Sequence, residues 1–172
     1  MDLAGMGPKE TAYRTIAAQP GMRLRAYPAD HADGPVLLIV PAPIKRPYIW
    51  DLIPRRSVVR RCLQSGMRVY LVDWLSPGAA NINPGIGDYA DRLILTALQA
   101  VQNETGRSDA ILAGHSLGGT LCVIFAALHP RNVRGLILLS TPVNFGKGVG
   151  AFGPATARVR NKSQSASGGA NV

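Results

Sequence analysis

The chain has 172 residues, 47% of them hydrophobic, which is enough for one domain with a buried core and too apolar for a disordered protein. Its formal net charge is +9, but the basic residues are not interleaved with aromatic ones, so no nucleic-acid partner is expected. The longest apolar runs fall short of the ~18 residues that a membrane span needs, so no membrane span is expected.

Strands alternate with helices in the predicted order of elements. Residues 8–18 are predicted to form a short helix, and residues 22–27, where apolar and basic residues alternate, an edge strand. The apolar run 36–40 predicts a buried parallel strand that ends at Pro41, because proline cannot continue a hydrogen-bonded ladder. The later predicted elements are a helix over 57–64 capped by Ser57, a strand over 68–72, a loop over 76–87, an amphipathic helix over 88–103, a strand over 110–113, a helix over 120–128 and a buried strand over 133–139.

This alternation predicts an α/β fold with a mostly parallel, doubly wound sheet, right-handed crossovers and helices on both faces. Three segments are expected: an N-terminal helix and edge strand over 1–33, the core over 34–146, and a flexible tail over 147–172. The tail is rich in Gly, Ala, Ser and Arg and offers few side chains for a core.

The most informative local pattern is Gly114-His115-Ser116-Leu117-Gly118-Gly119, which lies between an apolar strand and an apolar helix. Strand, G-x-S-x-G and helix form the setting in which a serine becomes a nucleophile. The serine sits at a sharp turn, so the residues two before and two after it must be small. The turn raises the Ser116 hydroxyl above the strand ends and aims the Leu117 N–H at a developing oxyanion. We therefore predict Ser116 as nucleophile and Leu117 as an oxyanion donor.

The partners that would activate Ser116 are not recognisable in the sequence. In this class the acid and then the histidine follow the serine, but residues 117–172 of this chain contain no Asp or Glu and only one histidine, His129. His129 is expected along the same helix at roughly 20 Å, too far to be the base. The side chain of His115 should point to a different side of the bend from the Ser116 hydroxyl. Asp73, at the carboxyl end of a strand, is a possible acid or else a structural hydrogen-bond acceptor for neighbouring loops.

Basic residues are densest in one part of the sequence, and two interpretations stay open. The cluster is either a solvated surface or an anion site near the mouth of the active site, suited to the phosphates of an acyl-CoA. Its members are Lys45, Arg46, Arg55, Arg56, Arg60 and Arg61.

Residues 34–145 resemble the catalytic-domain core of polyhydroxyalkanoate synthases, a branch of the α/β-hydrolases. Besides the G-x-S-x-G segment, the matching segments are Leu37-Leu38-Ile39-Val40-Pro41 with Ile44, Tyr48-Ile49-Trp50-Asp51-Leu52, Ser57-Val58-Val59-Arg60, Val69-Tyr70-Leu71-Val72-Asp73-Trp74 and Ala126-Ala127-Leu128-His129-Pro130. In that family an elbow nucleophile takes acyl groups from hydroxyacyl-CoA. The resemblance implies that the loop 41–44 donates a second oxyanion N–H, assigned to Ile44; a proline-stiffened turn would have the same sequence.

The synthases use cysteine at the elbow, where this chain has Ser116. A serine ester is a less activated intermediate than a thioester and needs a nearby base to form, which favours hydrolysis or simple acyl transfer over polymerisation. We expect a serine-nucleophile acyl hydrolase or acyltransferase acting on a small-molecule ester or acyl-CoA thioester, represented by an incomplete chain. The alternative is a non-catalytic acyl-CoA-binding or scaffold module of the same fold.

Three further expectations concern the surroundings of the chain. The strand over 135–139 would lack an outer neighbour, and its apolar edge invites self-association. Residues 1–10 lack the pattern of a signal peptide, and Cys62 and Cys122 fall in apolar helix segments as unpaired thiols, so a cytoplasmic location is expected. Neither a cofactor nor a metal ion is expected.

Overall fold

The computed structural model describes residues 7–75 and 84–144. Residues 7–75 and 84–141 belong to one unit, and residues 142–144 are the described part of a second. The helices and strands of the first unit are β1 (Arg14–Gln19), β2 (Met22–Ala26), β3 (Val36–Val40), a 3₁₀ turn (Pro47–Trp50), β4 (Asp51–Ile53), β5 (Arg56–Ser57), α1 (Val58–Gln64), β6 (Arg68–Trp74), a π-helical turn (Asp88–Arg92), α2 (Leu93–Thr105), β7 (Ala110–His115), α3 (Leu117–Leu128), a second 3₁₀ turn (Pro130–Asn132) and β8 (Val133–Leu139). The predicted tail over 147–172 lies outside the described residues.

Six strands form one sheet in the order β1-β2-β6-β3-β7-β8. β6, β3, β7 and β8 run parallel, whereas β1 and β2 pair antiparallel with each other and β2 pairs antiparallel with β6. A crossover through a helix returns the chain to the same end of the sheet, which makes successive strands parallel. The carboxyl ends of β3, β6 and β7 therefore meet at one end of the sheet. The predicted mostly parallel α/β class is confirmed.

Helices cover both faces of the sheet. On one face α2 and α3 bury Leu93, Ile94 and Phe125 against the alternate side chains of the strands. On the other face Val59 of α1 and Trp50 pack against Leu37, Ile39 and Leu71. The central strand β3 is buried along its whole length, which is why its sequence is a continuous apolar run.

The predicted N-terminal helix over 8–18 is wrong. Arg14–Gln19 is instead the edge strand β1, which pairs with β2 through the Gln19↔Met22 register. Pro20 and Gly21 form the two-residue turn between them, and Gly21 has φ 96°, a conformation that glycine adopts at little cost. Hydrogen bonds to β2 outweigh the weak helical preference of these residues. The Pro-Gly pair, typical of a hairpin turn, was the signal of this strand pair in the sequence.

The predicted edge strand over 22–27 is a strand but not an edge. β2 lies between β1 and β6, and Arg25 is buried at 6% exposure. A buried guanidinium needs a counter-ion, and Asp73 of β6 supplies one. The alternation of basic residues therefore reflects an ion pair within the sheet, not a solvated strand. β1 and β2 extend the sheet formed by the strands of the predicted core segment.

The predicted helices over 57–64 and 88–103 are confirmed with shifted boundaries, since α1 begins at Val58 and the second helical segment runs from residue 86 to Thr105. Ser57 Oγ accepts a hydrogen bond of 2.9 Å from Arg60 N and so caps α1 as expected. Of the predicted loop 76–87, residues 76–83 lie outside the described part of the chain, and residues 86–87 are already helical. The early start follows from Asp88, whose carboxylate accepts from Gly85 N at 3.0 Å before the first turn.

Candidate active site

Ser116 stands between β7 and α3 with φ 55° and ψ −128°. This is the mirror image of extended backbone, which costs a residue with a side chain on the order of 1–3 kcal/mol. Hydrogen bonds hold it on both sides: Ser116 N donates to Leu139 O at 2.9 Å, and Ser116 O accepts from Gly119 N at 3.0 Å and Thr120 N at 3.2 Å. The structure thus places Ser116 at the sharp strand-to-helix bend that the G-x-S-x-G pattern predicts.

The hydroxyl of Ser116 is not used for helix capping. Serine at the first position of a helix commonly accepts a backbone hydrogen bond through its side chain, but the Ser116 side chain makes no such bond at the start of α3. The residue is half-buried, as is Leu117, whose N–H opens the helix. The Oγ atom therefore stays available for chemistry at the positive end of the α3 dipole.

Three glycines around the bend leave no room for side chains. A Cβ on Gly114 would collide with the backbone of Gly119, one on Gly118 with the backbone that follows β3, and one on Gly119 with Thr141. His115, at the variable position, ends β7 opposite Leu139 of β8. The spacing of the glycines thus reflects the close packing of α3 on the sheet, as the sequence predicts.

The loop after β3 approaches the bend through Ala42. A Cβ on Gly118 would lie 2.8 Å from Ala42 N, which measures how closely this backbone nitrogen comes to the first turn of α3. Ala42 is buried, whereas the Ile44 side chain is 84% exposed. Proline has no N–H, so Pro41 and Pro43 leave Ala42 and Ile44 as the two donors in 41–44. Ala42 is the candidate that sequence reasoning missed, although the position of the prolines pointed to it.

Two hydrogen bonds fix this loop. Trp74 Nε1, at the end of β6, donates to Pro41 O at 2.7 Å in a buried position. Lys45 N donates to Ala42 O at 2.8 Å and closes a tight turn. The ring of Trp74 meets the ring of Tyr89 edge-on, with centroids 5.0 Å apart. The backbone donors near Ser116 are therefore held in place before any substrate arrives.

Comparison with known proteins assigns the family. A profile of the α/β-hydrolase fold matches residues 35–161. The chain belongs to the α/β-hydrolase fold family. Within it, the chain is 38% identical over 144 residues to the poly(3-hydroxyalkanoate) polymerase subunit PhaC of Haloferax mediterranei, covering 82% of this chain and 28% of that protein. The same subunit of Allochromatium vinosum is 33% identical, with 82% of this chain and 40% of that protein covered.

A third relative, the PhaC subunit of Haloarcula marismortui, is 36% identical over 69% of this chain and 25% of that protein. These matches place the chain in the polyhydroxyalkanoate-polymerase-like branch of the family, as the sequence resemblance implied. The chain spans between 25% and 40% of the length of these three relatives.

Solved structures agree on the fold. An epoxide hydrolase of Vigna radiata superposes with a TM-score of 0.58 at 19% identity, covering 87% of this chain and 45% of that one. A probable hydrolytic enzyme from Pseudomonas aeruginosa PAO1 gives a TM-score of 0.56 at 22% identity, covering 79% of this chain and 42% of that one. At these identities the likeness speaks for the fold of this α/β-hydrolase chain alone.

None of the three histidines of this α/β-hydrolase chain bonds to Ser116 in the described part of the structure. His129 lies at the far end of α3, which has 12 residues and so spans roughly 18 Å. Its Nε2 is 2.6 Å from Asp91 Oδ1 of the π-helical turn, a pair that the sequence analysis did not foresee. The His31 ring lies beside Gly66 just before β6, at the amino ends of the parallel strands and so at the end of the sheet away from the bend. His115 adjoins the serine but ends the strand.

Asp73 is held by arginines of the neighbouring strand. Its Oδ2 accepts from Arg25 Nε at 3.2 Å, Arg25 Nη2 at 2.9 Å and Arg23 Nη2 at 2.9 Å. Burial by itself lowers the pKa of Arg25, but the hydrogen bond and charge of Asp73, together with Glu10, raise that pKa above its ordinary value, so the Arg25 guanidinium stays charged. This placement favours the structural interpretation of Asp73, with partners on β2 instead of in loops.

In the described ranges 7–75 and 84–144, no three His, Cys, Asp or Glu side chains come together as metal ligands would. No helix in the same ranges is long and apolar enough to span a membrane.

Proposed function

We propose that this chain carries the nucleophile and oxyanion donors of an acyl hydrolase or acyltransferase that acts on an ester or an acyl-CoA thioester. The observation that supports it most is the mirror-image backbone of Ser116, with φ 55° at the head of α3 and a hydroxyl that caps nothing. Backbone strain persists where the surrounding fold over-determines it, which is common at reactive residues. The polymerase relatives support acyl-transfer chemistry for this branch.

The proposed reaction has two steps. Ser116 Oγ attacks the acyl carbonyl carbon, its proton passes to a base, and the oxyanion accepts hydrogen bonds from Leu117 N–H and from a donor of the loop after β3. The bond to the leaving oxygen or sulfur then breaks, and the leaving group takes a proton. Water or an acceptor hydroxyl resolves the Ser116 ester in the second step. We assign the second oxyanion donor to Ala42 N–H by its approach to Gly118, with Ile44 N–H as the other donor of the loop.

Among the described residues, none contacts Ser116 as a general base would. The base therefore has to be a group that the structure does not place beside Ser116. Without a base, the elbow and the oxyanion donors accelerate the reaction by about 10³–10⁴ over water in well-studied cases. This is a small fraction of the rate enhancement that a complete triad gives. We therefore expect negligible turnover of p-nitrophenyl esters by the 172-residue chain. Robust turnover that Ser116→Ala abolishes would reveal a base that the sequence and the fold do not identify.

The test of the nucleophile is covalent labelling with a fluorophosphonate, located by mass spectrometry. We expect slow labelling at Ser116, none in Ser116→Ala, and unchanged labelling in Ser65→Ala, which removes an exposed serine at the end of α1. Labelling spread over many serines, or absent from Ser116, would contradict the proposal. Acyl-CoA binding without labelling of Ser116 would instead support the non-catalytic binding module.

We propose in addition that the chain self-associates through β8. This strand forms one edge of the sheet, and its apolar side chains Leu136, Ile137, Leu138 and Leu139 are 38–44% exposed. An unpaired apolar edge is a template for another strand. A cytoplasmic location fits the two free thiols, Cys62 and Cys122, which suit a reducing compartment.

A further inference from the structure

Two cavities of similar size differ in their charge balance. The first, of about 440 Å³, lies at the amino ends of the parallel strands and includes Arg14, Arg68 and Glu104. Glu104 Oε2 is 2.7 Å from Arg14 Nη2, and its Oε1 is 3.8 Å from Arg68 Nη2, so one carboxylate serves both cations. The second, of about 450 Å³, lies beside the loop after β3 and includes both Lys45 and Arg46.

The positive charge of this second cavity is not neutralised within the described residues. Lys45 and Arg46 are exposed, neither pairs with a carboxylate in the described ranges, and no acidic side chain is among the described residues lining it. The nearby carboxylate of Asp88 is already engaged, by Arg92 at 2.9 Å and by Gly85 N at 3.0 Å. Two adjacent cations in a concave site favour an anion, and phosphate oxygens are suitable acceptors for both.

The same cavity also has an aromatic lining. Trp74 and Tyr89 line it, with their rings at 88° to each other, and Ile44 adds an exposed apolar side chain. The cavity therefore offers both cations and an apolar surface. This combination suits a ligand in which a phosphate is joined to an apolar chain or a planar ring.

The cavity shares its wall with the loop that approaches Ser116. Ala42 of this loop comes against Gly118 of the elbow, and Lys45 N closes the turn by its bond to Ala42 O. A substrate anchored at Lys45 and Arg46 would thus lie along the loop that comes against Gly118 of the elbow. Of the six basic residues that the sequence groups together, these two are the ones that line the cavity.

We propose that Lys45 and Arg46 bind the phosphate groups of the CoA part of an acyl-thioester substrate, and so select charged thioesters over neutral esters. This inference rests on the proposed acyl-transfer function of Ser116 and names the substrate part that the site recognises. The apolar wall formed by Trp74 and Tyr89 takes the adjoining uncharged portion of CoA.

The experiment measures binding of coenzyme A and of pantetheine, which lacks the phosphates, to the full chain by calorimetry. We expect Lys45→Gln/Arg46→Gln to weaken coenzyme A binding at least about tenfold, and to leave pantetheine binding within about twofold. Higher salt should weaken coenzyme A binding to the unsubstituted chain, because exposed charges are screened. The matched control, Arg131→Gln/Arg134→Gln, removes two exposed charges near the amino end of β8 and should change neither affinity.

The outcomes separate this inference from the proposed function. Equal losses of coenzyme A affinity in the two double variants, or no loss in either, would overturn the phosphate site while leaving the labelling of Ser116 untouched. A loss confined to Lys45→Gln/Arg46→Gln supports the site even if Ser116 of the unsubstituted chain fails to react with the fluorophosphonate. Thermal unfolding of each variant checks that the substitutions leave the fold intact.

Discussion

At the scale of single residues, the bend at Ser116 depends on backbone atoms that come unusually close. Gly118 lies in the first turn of α3, where alanine would ordinarily stabilise a helix by about 1 kcal/mol. Here the nearest neighbours of an added Cβ are backbone atoms of Val40, Pro41 and Ala42, which cannot move aside as a flexible side chain can. Gly87 has ordinary helical angles, φ −63° and ψ −39°, and open space around it.

We predict opposite effects of alanine at these two glycines. Gly118→Ala should lower the free energy of unfolding by about 1–3 kcal/mol through overpacking. Gly87→Ala should raise it by about 0.4–1 kcal/mol, because the unfolded chain loses freedom and the helix gains a better former. Urea unfolding followed by circular dichroism compares the two. A Gly118→Ala chain as stable as the unsubstituted one would show that the loop after β3 does not press on the elbow.

The role of Asp73, predicted either as the catalytic acid or as a structural hydrogen-bond acceptor, is hard to judge from the sequence. Asp73 follows an apolar strand at the ligand-binding end of the sheet, a position shared by catalytic and structural carboxylates. Its arginine partners, Arg23 and Arg25, are almost fifty residues earlier in the chain. No local pattern predicts a contact of that kind, because it depends on β2 lying beside β6.

At the scale of elements, β8 is the least covered strand of the parallel part of the sheet. β7 is largely buried because β3 and β8 flank it, whereas β8 has one neighbouring strand among the described residues and helices cover it incompletely there. An apolar sequence forms a buried strand only where a further element packs against that strand. Val133–Leu139 is therefore confirmed as a strand, but its expected burial is wrong, because five of its seven residues are exposed in the described part of the chain.

We predict that a charge at this edge reduces self-association. Ile137→Lys, at a side chain 40% exposed, should shift the chain from oligomer to monomer in light scattering. Leu128→Lys replaces a side chain that is 56% exposed at the end of α3 and should leave the oligomer in place. A monodisperse monomer of the unsubstituted chain would rule out the proposed edge-to-edge contact.

At the scale of the whole molecule, burial of proton-releasing groups links stability to pH. Burial raises the pKa of Cys122 from 9.0 to about 12. Burial, followed by a hydrogen bond of 2.8 Å to Glu104, raises that of Tyr70 from 10.0 to about 12. Both groups keep their protons in the folded chain at pH values where the unfolded chain releases them. Their contribution to stability is complete below pH 9 and is lost as the pH rises towards 12.

We predict that the free energy of unfolding falls between pH 9 and pH 12, by up to about 1.4 kcal/mol per pH unit for each proton involved. Tyr70→Phe and Cys122→Ala should each make this slope shallower above the pH at which the unfolded group ionises. Denaturant titrations at closely spaced pH values measure the slopes. An unchanged slope in both variants would mean that other groups control alkaline unfolding.

The amino-acid sequence by itself determined the order of the helices and of the main-sheet strands from β3 onwards, the position of the bend at Ser116 and the family resemblance, but not the short strands β4 and β5. These follow from local patterns: continuous apolar runs, a serine cap at Ser57, and glycines spaced two residues from the nucleophile. Only the tertiary structure decided that residues 14–19 form a strand, that Asp73 pairs with Arg25, that Ala42 approaches the elbow and that His129 pairs with Asp91. Each of these depends on a partner that the fold brings near. The turn at Pro20 and Gly21 and the prolines of the loop 41–44 signal two of these contacts, whereas the partners of Asp73 and His129 lie 38 to 50 residues away and leave no trace in the local pattern.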